Sequence, residues 1–214
     1  IVWGRDDETC QAAKVAGLKV VLPFEGKDDA IEAVQNGVLE TASRHRDVVT
    51  AVCWEMPDVR GGPAKVSAFG RRLKETVPGV QLWCNLPWWS EEARNFPLPK
   101  EADALVVEIG YVTTPQEVKT TADRGLVERV AKAAGRPVIL VWWHGHKESP
   151  LGLVPLCRPG TMRALGEVVE RNLLKGLILV GYETTPQGTV GIGISPMLVS
   201  EVKEIAEKWG VSRP

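Results

Sequence analysis

Apolar residues in this chain fall into short, nearly continuous runs, not alternating ones. Seven stand out: Ile1–Gly4, Leu18–Phe24, Val48–Glu55, Val80–Leu86, Ala104–Tyr111, Val138–His144 and Leu177–Glu183. An unbroken run of Val, Ile and Leu is how a parallel strand reads when both of its faces are covered. Stretches of helical period lie between the runs. Asp29–Arg44 places Ile31, Val34, Val38 and Leu39 on one stripe, and Leu126–Ala134 and Met162–Leu174 do likewise. Pro196–Trp209 closes the chain with Leu198, Val202, Ile205 and Ala206 in phase. Asp6 and Asp7 before Glu8 suit a helix N-terminus, and the glycines of "AGLKVV" and "AGRPVIL" stop a helix before the next strand.

Seven strands alternating with six or seven helices predict an α/β fold with a parallel sheet. An open doubly wound sheet and a closed (β/α)8 barrel both fit that alternation. No glycine-rich phosphate loop follows the first strand, where an open nucleotide-binding sheet would carry one. Polar residues instead sit at the C-terminal ends of several strands: Glu25, Glu55 with Asp58, Asn85, Glu108, His144 and Glu183. An open sheet gathers function at one switch point, whereas in a barrel every strand end faces one central site. The even spread favours a TIM-type barrel spanning 1–214 as one domain. Seven strands are visible, so the barrel is expected to be incomplete or to lack its first strand. Thr189–Ser195 ("TVGIGIS") follows Glu183 too closely for a crossover helix and is expected to be a hairpin or loop. Gly110-Tyr111-Val112-Thr113-Thr114-Pro115-Gln116 is echoed by Gly181-Tyr182-Glu183-Thr184-Thr185-Pro186-Gln187, and the two copies hold every Tyr. The echo reads as a shared Thr-Pro start to a helix or turn, or as two Tyr hydroxyls aimed at one ligand.

The composition narrows the function classes. The chain has 214 residues, 26 Lys and Arg against 27 Asp and Glu, and a net charge of −1. Near-neutrality speaks against nucleic acid as a partner, because phosphate contacts need a surplus of cations. No apolar run approaches the roughly 18 residues that span a bilayer. No P-loop, G-x-S-x-G or CxxC occurs, so no cofactor is expected, and the spacing of Cys10, Cys53, Cys84 and Cys157 fixes neither disulfides nor compartment. The chain opens at Ile1 inside a strand, which suggests a removed leader or a missing true start. Oligomeric state is not legible.

Eight Trp stand against two Tyr and three Phe. Trp54, Trp83, Trp88, Trp89, Trp142 and Trp143 lie on strands or just beyond them. Around a concave site an indole stacks on the C–H faces of sugars. Successive strand residues face opposite ways, so Trp142 and Trp143 cannot both face inward, and part of the six must be packing. Alternation also places Glu55 with Cys53 and Ala51 on one face of its strand and Trp54 with Val52 on the other. Glycoside hydrolysis needs two carboxyl groups, one to protonate the leaving oxygen and one to attack or to activate water. Glu55, Glu108 and Glu183 are the candidates, with Glu25 behind them. Trp88, Trp89 and Trp143 would form sugar platforms, with His144, Tyr111, Tyr182 and Asn85 as further contacts. His144-Gly145-His146 could chelate a metal, but His45, the third His, sits before a strand at the opposite end.

Ile1–Asp58 resembles the retaining glycosidases of the (β/α)8 superfamily called clan A, in the style of the β-1,3-glucanases and related endo-acting enzymes. The resemblance is carried by Arg5-Asp6-Asp7, by Ala13-Lys14-Val15-Ala16-Gly17-Leu18-Lys19-Val20-Val21-Leu22, and by Val52-Cys53-Trp54-Glu55-Met56-Pro57-Asp58. It implies that Glu55 takes the place of the acid/base Glu of the family's Asn-Glu-Pro strand end, with Trp54 replacing the Asn. It also implies that Ile1 begins the second barrel strand. The family's nucleophile does not carry over, because Val141-Trp142-Trp143-His144 holds no carboxylate where it belongs. Glu183 or Glu108 is then expected in the second role. The leading expectation is a glycoside hydrolase acting on a polysaccharide or oligosaccharide, extracellular or at the cell surface. The alternatives are a glycan-binding or structural barrel module of a larger assembly, and a metal-dependent hydrolase using His144 and His146.

Overall fold

The structure is a computed structural model. It describes residues 1–26, 31–57, 61–87, 91–110, 112–133, 135–143, 146–149, 152–155, 157–180, 182–185, 188–191 and 196–210. The elements in chain order are β1 (Val2–Trp3), α1 (Asp7–Val15), β2 (Val20–Glu25), α2 (Ile31–Arg44), β3 (Val49–Glu55), α3 (Gly62–Thr76), β4 (Gln81–Pro87), α4 (Glu91–Asn95) and β5 (Ala104–Gly110). There follow α5 (Pro115–Lys132), β6 (Val138–Trp143), β7 (His146–Ser149), β8 (Gly152–Pro155), α6 (Thr161–Arg171), β9 (Gly176–Val180), β10 (Tyr182–Thr185), β11 (Gly188–Gly191) and α7 (Pro196–Lys208). Seven strands form one sheet in the order β1-β2-β3-β4-β5-β6-β9, which is chain order without a reversal. That is the progression of barrel staves and not of a doubly wound sheet, whose order reverses at a switch point.

The residues group into two compact units, Ile1–Val106 with Lys132–Pro137 and Val107–Ala131 with Val138–Arg213. In the first, parallel pairing sets Phe24, Trp54 and Cys84 in one row and Glu25, Glu55 and Asn85 in the next. The first row faces the helices. Trp54 is fully buried, with its ring 5.0 Å from Phe24 and edge-on to Phe69 of α3 at 5.7 Å. Gly61 makes room for it, since a Cβ there would stand 2.7 Å from Trp54 Cζ2. The division of β3 into a Trp54 face and a Glu55 face is as alternation requires. Asp6 caps α1 by accepting the Thr9 N–H at 2.7 Å, and the Thr9 hydroxyl first, then that N–H, hold the Asp6 carboxyl below its ordinary value. Gly17 ends that helix at φ +68°, a conformation that side chains resist.

In the second unit, β6 pairs with β9, and each is followed by a hairpin. β7 pairs with β8 and β10 with β11, both antiparallel. Of Thr189–Ser195, expected as a hairpin or loop, Thr189 to Gly191 lie on the hairpin strand β11. The run Leu177–Glu183 needs correction: it is not one strand. The sheet strand β9 ends at Val180, and Glu183 belongs to β10, opposite Val190. The two Thr-Thr-Pro-Gln copies also diverge. In the first, Glu117 accepts the N–H groups of Thr113 and Thr114 at 2.7 and 3.0 Å, and Thr114 Oγ1 accepts the Glu117 N–H, a capping box that opens α5. In the second, Gly188 stands in place of that Glu, and Thr185 pairs with Gly188 across a hairpin. No helix among the described residues is long and apolar enough to cross a membrane.

Candidate functional site

The polar row is the chemically distinctive part of the first unit. Glu25, Glu55 and Asn85 occupy neighbouring register positions on β2, β3 and β4. In-register residues of parallel strands point to the same face, so three polar side chains are brought together near the C-terminal strand ends, where barrels carry their sites. Glu55 is 3% exposed and Asn85 is buried, while Glu25 is half-buried. A carboxylate buried to that extent needs a partner. Arg5, in the loop between β1 and α1, supplies one. Its Nη2 donates to Glu55 Oε2 at 2.7 Å and lies 3.8 Å from Glu25 Oε1. One guanidinium thus serves two carboxylates, leaving this trio with one net negative charge.

The strand end after Glu55 is strained. Met56 has φ +51°, uncommon for a residue with a side chain, and its N–H is held by the Asn85 carbonyl at 3.0 Å. One step down the same face, Trp83 is paired in register with Cys53, and its indole N–H donates to Gln81 Oε1 at 2.8 Å. This face therefore runs from packed Cys53 and Trp83 to the charged row above them.

The remaining sequence candidates divide into three groups. Glu108 lies on β5, half-buried, in the second unit. Glu183, Tyr182 and Trp143 lie on β10 and β6, but their side chains are outside the described residues, as is that of His146 on β7. Trp88, Trp89, Tyr111 and His144 are outside the described residues altogether. Three of the strand Trp residues serve packing: Trp54 against α3, Trp83 on Gln81, and buried Trp142 with its N–H on the Val112 carbonyl at 3.0 Å. His45 is buried before β3 and contacts Asp7 Oδ1 at 2.8 Å. Among the described residues no group of three His, Cys, Asp or Glu could hold a metal. The four cysteines are buried thiols outside any disulfide, and burial pushes those of Cys84 and Cys157 up to about 12. Sequence reasoning missed the role of Arg5. It is 50 residues from Glu55, and its one sequence signal is a cation just past a strand end.

No family model and no curated protein matches the chain. Solved structures do. An endo-β-1,4-mannanase of Cellulomonas fimi, solved as a double mutant, is 9% identical at a TM-score of 0.63 over 93% of this chain and 56% of its own. Active domain 2 of a thermostable chitinase from Pyrococcus furiosus is 11% identical at a TM-score of 0.60, covering 97% of this chain and 79% of that one. A GH18 chitinase from Pseudoalteromonas aurantia is 13% identical at 0.54, over 81% and 75%. The chain thus spans little more than half the length of the mannanase. At these identities the likeness shows the fold: a (β/α)8-type barrel fold of the kind found in glycoside hydrolases, with seven sheet strands among the described residues.

Proposed function

We propose that the chain is a glycoside hydrolase acting on an oligosaccharide or polysaccharide, with Glu55 as its central carboxylate. The observation that carries this is the row Glu25–Glu55–Asn85, with Glu55 buried and charge-compensated by Arg5 at 2.7 Å. Sugar hydroxyls need acceptors and donors fixed in a row, and glycosidic cleavage needs a carboxylate among them. The structural neighbours, a mannanase and two chitinases, support the same chemistry. In this reading Glu108 or Glu183 supplies the second carboxylate. Trp88, Trp89 and Trp143 carry sugar rings, and His144, Tyr111 and Tyr182 add polar contacts. The whole of 1–214 works as one barrel domain, and a glycan substrate places it outside the cell or at its surface.

The test is turnover of a panel of defined manno-, gluco- and chito-oligosaccharides by the parent and by Glu55→Gln. The amide keeps the size and loses the proton chemistry, so turnover falls by about 100-fold or more while glycan affinity is kept. Parent-level turnover in the variant sinks the assignment.

A second reading has an observation of its own. β6 ends in Val141-Trp142-Trp143 with no carboxylate, and Glu183 stands on a hairpin and not on a strand of the seven-stranded sheet. Both fit a barrel that holds glycan without cleaving it. Glycan affinity in a parent that turns over nothing in the panel selects this reading.

A further inference from the structure

We propose that Arg5 is a positioning residue that keeps Glu55 ionised, so that Glu55 enters the reaction as an acceptor and not as the group that delivers a proton. This rests on the glycosidase reading above and assigns a role within that site. Two observations carry it. Arg5 Nη2 lies 2.7 Å from Glu55 Oε2, a charge-assisted hydrogen-bond length, and the Glu55 side chain is 5% exposed against 58% for Arg5. A carboxylate so far from water loses most of its hydration, and the guanidinium, which stays charged at any working pH, replaces it.

Other described residues share this face. Glu25, in register on β2, brings a like charge, but it stands 3.8 Å from the same guanidinium and is 35% exposed to water. Asn85, in register on β4, is neutral, and Cys53 lies one step below. The nearest charge to Glu55 in this row is therefore the cation, and an opposite charge at contact favours the ionised form. An ionised Glu55 takes a proton from an attacking water. The water oxygen bonds to the anomeric carbon as the glycosidic C–O bond breaks, and a separate carboxylic acid protonates the leaving oxygen.

The experiment follows the Glu55 carboxyl by carbon-detected NMR, assigned by its absence in Glu55→Gln. It compares the parent with Arg5→Gln and Arg5→Lys, beside the pH profile of glycan turnover. In Arg5→Gln the Glu55 midpoint rises by about one to three pH units, and the matching limb of the turnover profile moves with it. Arg5→Lys, which keeps the charge, restores most of the shift. A residue that merely braces the loop would move neither midpoint nor limb. The same midpoint in Arg5→Gln as in the parent overturns the proposal. So does a parent in which Glu55 is protonated at neutral pH, a result readable even if Arg5→Gln fails to fold. If the parent turns over no glycan, the titration still decides the role of Arg5, and the failure falls on the glycosidase reading alone.

Discussion

Trp54 stands edge-on to Phe69, with ring centroids 5.7 Å apart and planes at 86°. Phe24 touches both rings at 5.0 Å, so three aromatic side chains lock β2 and β3 to α3 directly behind the polar row. Phe69→Ala should cost about 3–5 kcal/mol, the loss of buried ring plus the cavity it leaves. Phe69→Leu, which keeps most of the volume, should cost less. Urea unfolding of both variants checks the order. A Phe69→Ala cost below that of Phe69→Leu would mean that α3 is not held by this cluster.

Two glycines are set by close approach and not by backbone angle. Gly61 has φ −168°, which any residue adopts, yet a Cβ there would meet Trp54 Cζ2 at 2.7 Å. On α3, a Cβ at Gly70 would meet the Glu101 Cβ at 2.6 Å. Helix propensity alone would make Gly70→Ala stabilising by about 0.5–1 kcal/mol. Both alanines should instead lower the melting temperature, because overpacking of a filled contact costs about 1–3 kcal/mol. A rise in melting temperature for Gly70→Ala would show that the Glu101 segment yields.

The strands were legible because burial on both faces leaves an unbroken apolar run, and β2 to β6 lie within two residues of the runs read for them. The sequence pattern does not mark α3. Its start, Gly61-Gly62-Pro63, has the composition of a turn, and Val66, Phe69 and Leu73 are spaced among Lys and Arg. α5 begins at Pro115, well before the stripe at Leu126, because its first turns are polar and held by the Glu117 capping box. The hairpin β7–β8 carries too few residues for a period to show. In the site, alternation was enough to put Glu55 on the face opposite Trp54. Its ion pair with Arg5 was beyond reach, because it depends on the loop after β1 meeting the end of β3.

The Glu117 capping box gives a pH dependence with a definite sign. Hydrogen bonds from the Thr113 backbone, then its hydroxyl and the Thr114 N–H, hold the Glu117 carboxyl below its ordinary value of 4.5. A group lowered in the folded state adds stability that is fully present above its unfolded value. That stability is lost as pH falls through the folded one. The start of α5 should therefore loosen below about pH 4.5, and Glu117→Gln should flatten that part of the acid limb. Thermal unfolding between pH 3 and 7 checks this. An identical acid limb in the variant would mean that the capping box adds no proton-linked stability.

Glu201 on α7 solves a problem posed by the start of α6. The N-cap there is Gly160 at φ 84°, which has no side chain to satisfy the first helical N–H groups. Glu201, 1% exposed, reaches across from α7 and accepts Gly160 N–H at 2.6 Å and Met162 N–H at 3.1 Å. The negative charge also meets the positive end of the α6 dipole. Glu201→Ala strands two donors in the interior, each costing about 1–3 kcal/mol. Glu201→Gln keeps one acceptor but loses the charge, and should fall between the parent and the alanine. Arg163, whose side chain is 54% exposed, lies 3.7 Å from the same carboxylate, and its removal should cost under about 1 kcal/mol because water already screens that pair. Hydrogen exchange separates the two roles: Glu201→Ala should lose protection at the Gly160 and Met162 amides first, while Arg163→Ala should leave both protected. Loss at those amides in the Arg163 variant would transfer the latch from the carboxylate to the ion pair.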